Sequence, residues 1–141
     1  MSQKTILIVD DEKEMCETVS QVLTPRGYHV LMAHTGRDAL ALAKQHKPDL
    51  IILDLMLPDT DGWRVCQQLK KEESLKSVPV IMLSGLVDDK PEKGPLELGD
   101  AYLSKPFEMR ALLEKIRDLC AQERSDGQER PSGEERLIGE A

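Results

Sequence analysis

No apolar run in this chain of 141 residues approaches the length of a bilayer span. Met1 to Lys4 lead straight into a strand-like segment, without the charged, apolar and small-residue regions of a secretory signal. A cytoplasmic protein with no membrane association is therefore expected. Cysteine is scarce as well. Cys16, Cys66 and Cys120 are odd in number and far apart, which suggests neither a disulfide framework nor a site of close cysteine pairs. Reduced thiols packed in a core are the plainer reading. Positive charge is in deficit, with 19 Lys and Arg against 26 Asp and Glu and a formal net charge of −7. Neutralising a phosphate backbone needs clustered cations with few competing carboxylates. Direct nucleic-acid binding is not expected, and the partners should be proteins, with a metal cation held locally by acids.

What the chain does have is enough length for one sizeable core and a regular alternation of apolar runs. Thr5 to Val9, His29 to Ala33, Leu50 to Leu53, Val80 to Leu83 and the weaker Ala101 to Leu103 read as strands. Leu50 to Leu53 is continuously apolar, as a central strand covered on both faces should be. Helical stripes lie between the runs: Met15, Val19, Val22 and Leu23, then Ala39, Leu40, Leu42 and Ala43, then Val65, Cys66 and Leu69 from a start near Asp61. A last stripe uses Met109, Leu112, Leu113, Ile116, Leu119 and Cys120. Pro25 and Gly27 stop the first helix, and Thr35 is a candidate cap for the second. This βα alternation predicts a mostly parallel sheet. Pro91, Gly94 and Pro95 break the segment before the fifth strand, so a short, displaced or mobile helix is expected between Val87 and Gly99. The composition predicts one domain over residues 1–122 and a flexible charged tail or linker over 123–141.

In a parallel α/β sheet the carboxyl ends of the strands gather at one rim, and ligands bind there. Asp10 and Asp11 directly follow the first strand and Asp54 ends the third. One acid after a strand is commonly a turn former, but three converging at neighbouring strand ends repel one another unless a cation intervenes. Their hard oxygens suit Mg²⁺, or Mn²⁺, with several waters retained. Ser84, beside Gly85, closes the fourth strand, and Lys105 follows the fifth. A hydroxyl, an open backbone N–H and an ammonium can all donate to phosphoryl oxygens. Together these groups meet the electrostatic requirement for phosphoryl transfer to a carboxylate.

The stretches Ile6 to Glu12 (ILIVDDE), Leu53 to Gly62 (LDLMLPDTDG), Leu83 to Gly85 (LSG) and Tyr102 to Phe107 (YLSKPF) resemble the motifs of bacterial response-regulator receiver domains, in order, over nearly all of residues 4–121. The resemblance implies a flavodoxin-like, doubly wound, five-stranded parallel sheet of order 2-1-3-4-5, with two helices on one face and three on the other. It implies a phospho-acceptor signalling domain of two-component systems that assists its own phosphorylation and is not a classical enzyme. Asp54 would be the acceptor, supplied by a sensor histidine kinase or a histidine phosphotransfer protein. Asp10, Asp11, Asp54 and the Met56 carbonyl would hold the metal. Lys105 would pair with the phosphoryl group at little cost to stability if removed, Ser84 would swing toward it, and Tyr102 would move with Ser84 to alter a surface read by a downstream protein. The Lys105–Pro106 bond would be cis, and Met56 and Leu86 would tune the lifetime of the phosphorylated state. A flavin or nucleotide site on the same sheet would need a Gly-, Ser- or Thr-rich loop after the first strand. Here that loop is Asp10, Asp11 and Glu12, which repels a bare phosphate.

Overall fold

The computed structural model describes residues 3–85 and 100–128. Leu86, the segment from Val87 to Gly99 with its expected irregular helix, and residues 129–141 lie outside the described residues. In chain order the elements are β1 (Lys4–Val9), α1 (Lys13–Leu23), β2 (Tyr28–Ala33), α2 (Gly36–His46), β3 (Leu50–Asp54), α3 (Gly62–Lys71), β4 (Val80–Ser84), β5 (Ala101–Ser104) and α4 (Met109–Gln128). The five strands form one parallel sheet in the order β2-β1-β3-β4-β5. This is the flavodoxin-like arrangement.

β3 and β4 are buried along their whole length and β1 over its last four residues, because alternate side chains enter two different cores. Leu7 and Val9 of β1, Ile51 and Leu53 of β3, and Val80 and Met82 of β4 pack with Ala39 and Ala43 of α2 and Val65, Cys66 and Leu69 of α3. Ile6 and Ile8, Leu50 and Ile52, and Ile81 and Leu83 point the other way, against Cys16, Val19 and Leu23 of α1 and Leu112, Ile116 and Cys120 of α4. The period of two along each strand thus meets a helical stripe on either face. All three cysteines are buried in these cores and none is in a disulfide.

Local chemistry ends the elements where the chain must turn. After α1 a 3₁₀ turn, Thr24–Arg26, closes on Gly27, whose φ of 97° is in the left-handed region. Thr35 Oγ1 accepts from Asp38 N–H at 3.1 Å to cap α2, and Asp61 Oδ1 accepts from Arg64 N–H at 2.9 Å to cap α3. The last helix continues to Gln128, past position 122, the domain end expected from composition. Ala121, Gln122, Glu123 and Arg124 are all good helix formers, so propensity supports the first turn beyond the apolar stripe. No helix among the described residues is long and apolar enough to cross a membrane.

Candidate functional site

Because β1 and β3 pair in register up to Val9 opposite Leu53, the residues that follow, Asp10 and Asp54, emerge side by side. One oxygen from each of Asp10, Asp11 and Asp54 lies within 4.8 Å of the others. Asp10 is completely buried, Asp54 is 4% exposed, and Asp11 opens to solvent. From the far side, β5 delivers Lys105, whose backbone N–H donates to Ser84 O at 2.6 Å. Its ammonium reaches back over the sheet to within 2.8 Å of Asp10 Oδ2, 3.4 Å of Asp54 Oδ2 and 3.8 Å of Glu12 Oε1. The peptide between Lys105 and Pro106 is cis.

The electrostatics follow from burial. Loss of solvent, followed by repulsion from Asp10, raises the pKa of Asp54, while Lys105 and the Met56 N–H pull it back. Burial disfavours the charged form of Lys105, yet the facing Asp10 and Asp54 overcome it and raise its pKa. The Cys16 thiol beneath the site is pushed up to about 12, first by burial and then by Asp10, so it is inert as a nucleophile at neutral pH.

The residues present fit a small divalent cation. Asp10 Oδ2 is buried with no neutral hydrogen-bond donor on it, and the one charge it meets is the Lys105 ammonium at 2.8 Å. Two buried carboxylates carry like charge against one ammonium, and the exposed Asp11 leaves a side open to water. Such a partly open oxygen cluster is what Mg²⁺ takes, keeping several waters. Met56 lies at the edge of the cluster, where its N–H donates to Asp54 Oδ1 at 3.3 Å and its backbone pairs with Asp61. Its side chain is 63% exposed.

Ser84 is buried at the end of β4, one residue past the Leu83 that pairs with Asp54. Gly85 is exposed, and a Cβ there would meet nothing within 4 Å. Tyr102 is half-buried on β5, and its ring centroid is 6.0 Å from that of Trp63, tilted by 50°. The site therefore brings together Asp10, Asp11, Asp54 and Lys105, with Ser84 on the adjoining strand end.

Three further residues hold the site in place: His34, which lies outside the motifs, and Asp59 and Gly62, which lie within the Leu53 to Gly62 stretch without a role assigned from the sequence. His34 Nδ1–H donates to the Asp10 carbonyl at 2.8 Å. Asp59 accepts from the Gly36 and Arg37 N–H groups at 2.8 and 3.0 Å, and these bonds, Gly36's foremost, lower its pKa. Gly62 opens α3 directly beneath the acceptor: an added Cβ would sit 2.5 Å from the Asp54 carbonyl oxygen and 2.9 Å from Leu55 Cα. Both neighbours are backbone and cannot rotate away. Gly62→Ala should therefore lose about 2–3 kcal/mol by overpacking, whereas Gly85→Ala should stay within about 0.5 kcal/mol. Urea unfolding of the two variants checks this, and equal stabilities would mean that α3 shifts freely.

Residues 6–117 match the family described as response regulator receiver domain. The chain is 43% identical over 115 residues to the DNA-binding dual master transcriptional regulator RpaA of Synechocystis, covering 81% of this chain and 48% of that protein. It is 40% identical over 118 residues to the phosphate regulon transcriptional regulatory protein PhoB of Pseudomonas aeruginosa, covering 83% of this chain and 52% of that one. The chain thus spans about half the length of the curated relatives it matches. Among solved structures, a CheY-like receiver domain from Methanospirillum hungatei superposes with a TM-score of 0.79 at 30% identity, covering 89% of this chain and 100% of that one. A second CheY-like receiver, from Methylobacillus flagellatus, gives 0.77 at 30% identity over 84% of this chain and 99% of its own.

Proposed function

The chain belongs to the response-regulator receiver family, and from that premise we propose that Asp54 is its phospho-acceptor and that Asp10, Asp11, Asp54 and the Met56 carbonyl hold Mg²⁺ or Mn²⁺. The observation that supports this best is the meeting of three carboxylates with one largely buried ammonium at the carboxyl ends of β1, β3 and β5. An Asp54 carboxylate oxygen attacks the phosphorus of a phosphohistidine, the P–N bond breaks as the P–O bond forms, and the departing imidazole takes up a proton. When bound, the divalent cation neutralises charge on the carboxylates and the phosphoryl oxygens. Lys105 supplies a fixed positive charge on the other side, while the Ser84 hydroxyl and the Gly85 N–H can donate to the same oxygens.

Phosphorylation gives Lys105 a doubly charged partner in place of the neighbouring carboxylates. The contacts of Ser84, and through it of Tyr102, then differ between the two states, and that difference shifts the population of signalling conformations. The donor is a sensor histidine kinase or a histidine phosphotransfer protein in the cytoplasm. The relatives named above are transcriptional regulators about twice as long as the matched region. We therefore assign the output to a DNA-binding effector governed by this receiver. The net charge of −7 over the chain leaves it poorly suited to touching DNA itself.

Incubation with acetyl phosphate and Mg²⁺ should add one phosphoryl group by intact mass, with none added in EDTA and none in Asp54→Ala. Modification that persists in Asp54→Ala would move the acceptor to another acid. Lifetime is a separate expectation. The apolar, exposed Met56 side chain cannot orient an attacking water. Met56→Asn should lose the phosphoryl group several-fold faster in excess Mg²⁺, and an unchanged rate would show that lifetime is set elsewhere.

A further inference from the structure

The turn between β2 and α2 contributes no side chain to the acid cluster, yet it is bonded to both loops that do. Ala33 O accepts from Asp10 N–H at 3.0 Å, and His34 Nδ1–H donates to Asp10 O at 2.8 Å. The end of β2 and the turn after it therefore hold both backbone groups of Asp10. Two residues later the first N–H groups of α2 face the acceptor loop, where Asp59 takes one with each carboxylate oxygen. The neighbouring Thr60 methyl packs so closely on Gly36 that a Cβ there would collide with it. The acceptor loop is also closed on itself, with Leu57 N–H donating to Thr60 O at 3.2 Å and Met56 paired with Asp61. A displacement of Asp59 is thus passed to the Met56 backbone.

We propose that Asp59 is a positioning residue for the metal site: by clamping the acceptor loop to the turn that holds Asp10, it fixes the Met56 carbonyl and Asp54 relative to Asp10. This inference rests on the phospho-acceptor reading given above. A carboxylate at a helix start can also be a cap and nothing more, and the same helix supplies the control. Thr35 Oγ1 accepts from Asp38 N–H on that helix end and makes no bond to the acceptor loop.

Calorimetric titration with Mg²⁺, paired with unfolding in EDTA, separates the two roles. Groups that orient metal ligands typically contribute 10- to 100-fold in affinity, so Asp59→Ala should weaken Mg²⁺ binding by roughly tenfold, Asp59→Asn by about threefold because it keeps one acceptor oxygen, and Thr35→Ala by less than about twofold. In EDTA, Asp59→Ala and Thr35→Ala should unfold at similarly lowered midpoints, since each loses helix-cap bonds. Unchanged affinity in Asp59→Ala, or an equal loss in Thr35→Ala, overturns the proposal. Equal weakening in Asp59→Asn and Asp59→Ala also overturns it, because charge at a distance would then explain the effect. A parent protein that fails to bind Mg²⁺ would overturn the phospho-acceptor reading itself.

Discussion

Asp54→Asn should abolish phosphorylation and, in the same protein, stabilise the metal-free fold at neutral pH. Asp54 is 4% exposed and faces Asp10, so burial and then repulsion raise its pKa in the folded state. A group raised in this way contributes its full stability below its unfolded pKa, near 3.8, and loses that contribution as the pH rises through the higher folded value. The asparagine is nearly isosteric, keeps an acceptor for the Met56 N–H, and carries no charge to bury. Because burial and repulsion from Asp10 outweigh the pull of Lys105, removing the charge should stabilise the metal-free fold, by on the order of 1 kcal/mol. In EDTA the variant should therefore exceed the parent at pH 7, with the gap closing as the pH falls toward 4. Saturating Mg²⁺ should reverse the order, because only a protein with the full acid set gains strongly from metal binding. Urea titrations at the two pH values, with and without Mg²⁺, decide the matter. A variant less stable than the parent in EDTA at pH 7 would show that Asp54 is well compensated without metal.

The fold is legible in the sequence because each of its determinants is periodic or local. Ile6 to Val9 and Leu50 to Leu53 are apolar at every position, which only a strand covered on both faces requires, and the stripe of Val65, Cys66 and Leu69 supplies one such cover. The acids and Lys105 are legible for a related reason, since a parallel sheet puts residues that follow its strands at one rim. Asp59 and His34 escape that logic. Their bonds to Gly36 and Asp10 join loops separated by 23 and 24 residues, and no spacing rule relates such positions. Gly62 is hidden for another reason. The sequence shows a glycine after a capping Asp, and only the packed backbone reveals that the Asp54 carbonyl occupies the space where a Cβ would lie. Burial also revises Lys105. From the sequence alone its loss should cost little, its part being in the switch and not in holding the fold, but its side chain is only 21% exposed and its nearest partner has no exposure at all.

That burial leads to the opposite expectation for Lys105→Ala in metal-free buffer. The ammonium stands between Asp10 Oδ2 and Asp54 Oδ2 at 2.8 and 3.4 Å, with Glu12 at the edge. Removing one partner of a buried pair typically costs about 3–5 kcal/mol, because the remaining charge stays desolvated. Here the penalty is reduced by the partial exposure of Lys105 and by the readiness of Asp54, with its raised pKa, to take up a proton. A loss of about 2–4 kcal/mol at pH 7 in EDTA is the expected result. The pH dependence has a definite sign. The raised pKa of Lys105 means that its own contribution is present throughout the neutral range and is lost only as the pH climbs above 10.5 through the folded value. At the acid end the difference between variant and parent should shrink toward pH 4, as Asp54 becomes neutral and needs no counter-charge. Mg²⁺ should also shrink it, since a divalent cation among the same oxygens replaces the missing positive charge. Chemical unfolding at pH 4, 7 and 9, each with EDTA and with Mg²⁺, separates these effects. A loss below about 1 kcal/mol at pH 7 in EDTA would class the contact with ordinary surface ion pairs, and Lys105 would then act on the phosphoryl group without holding the resting site together.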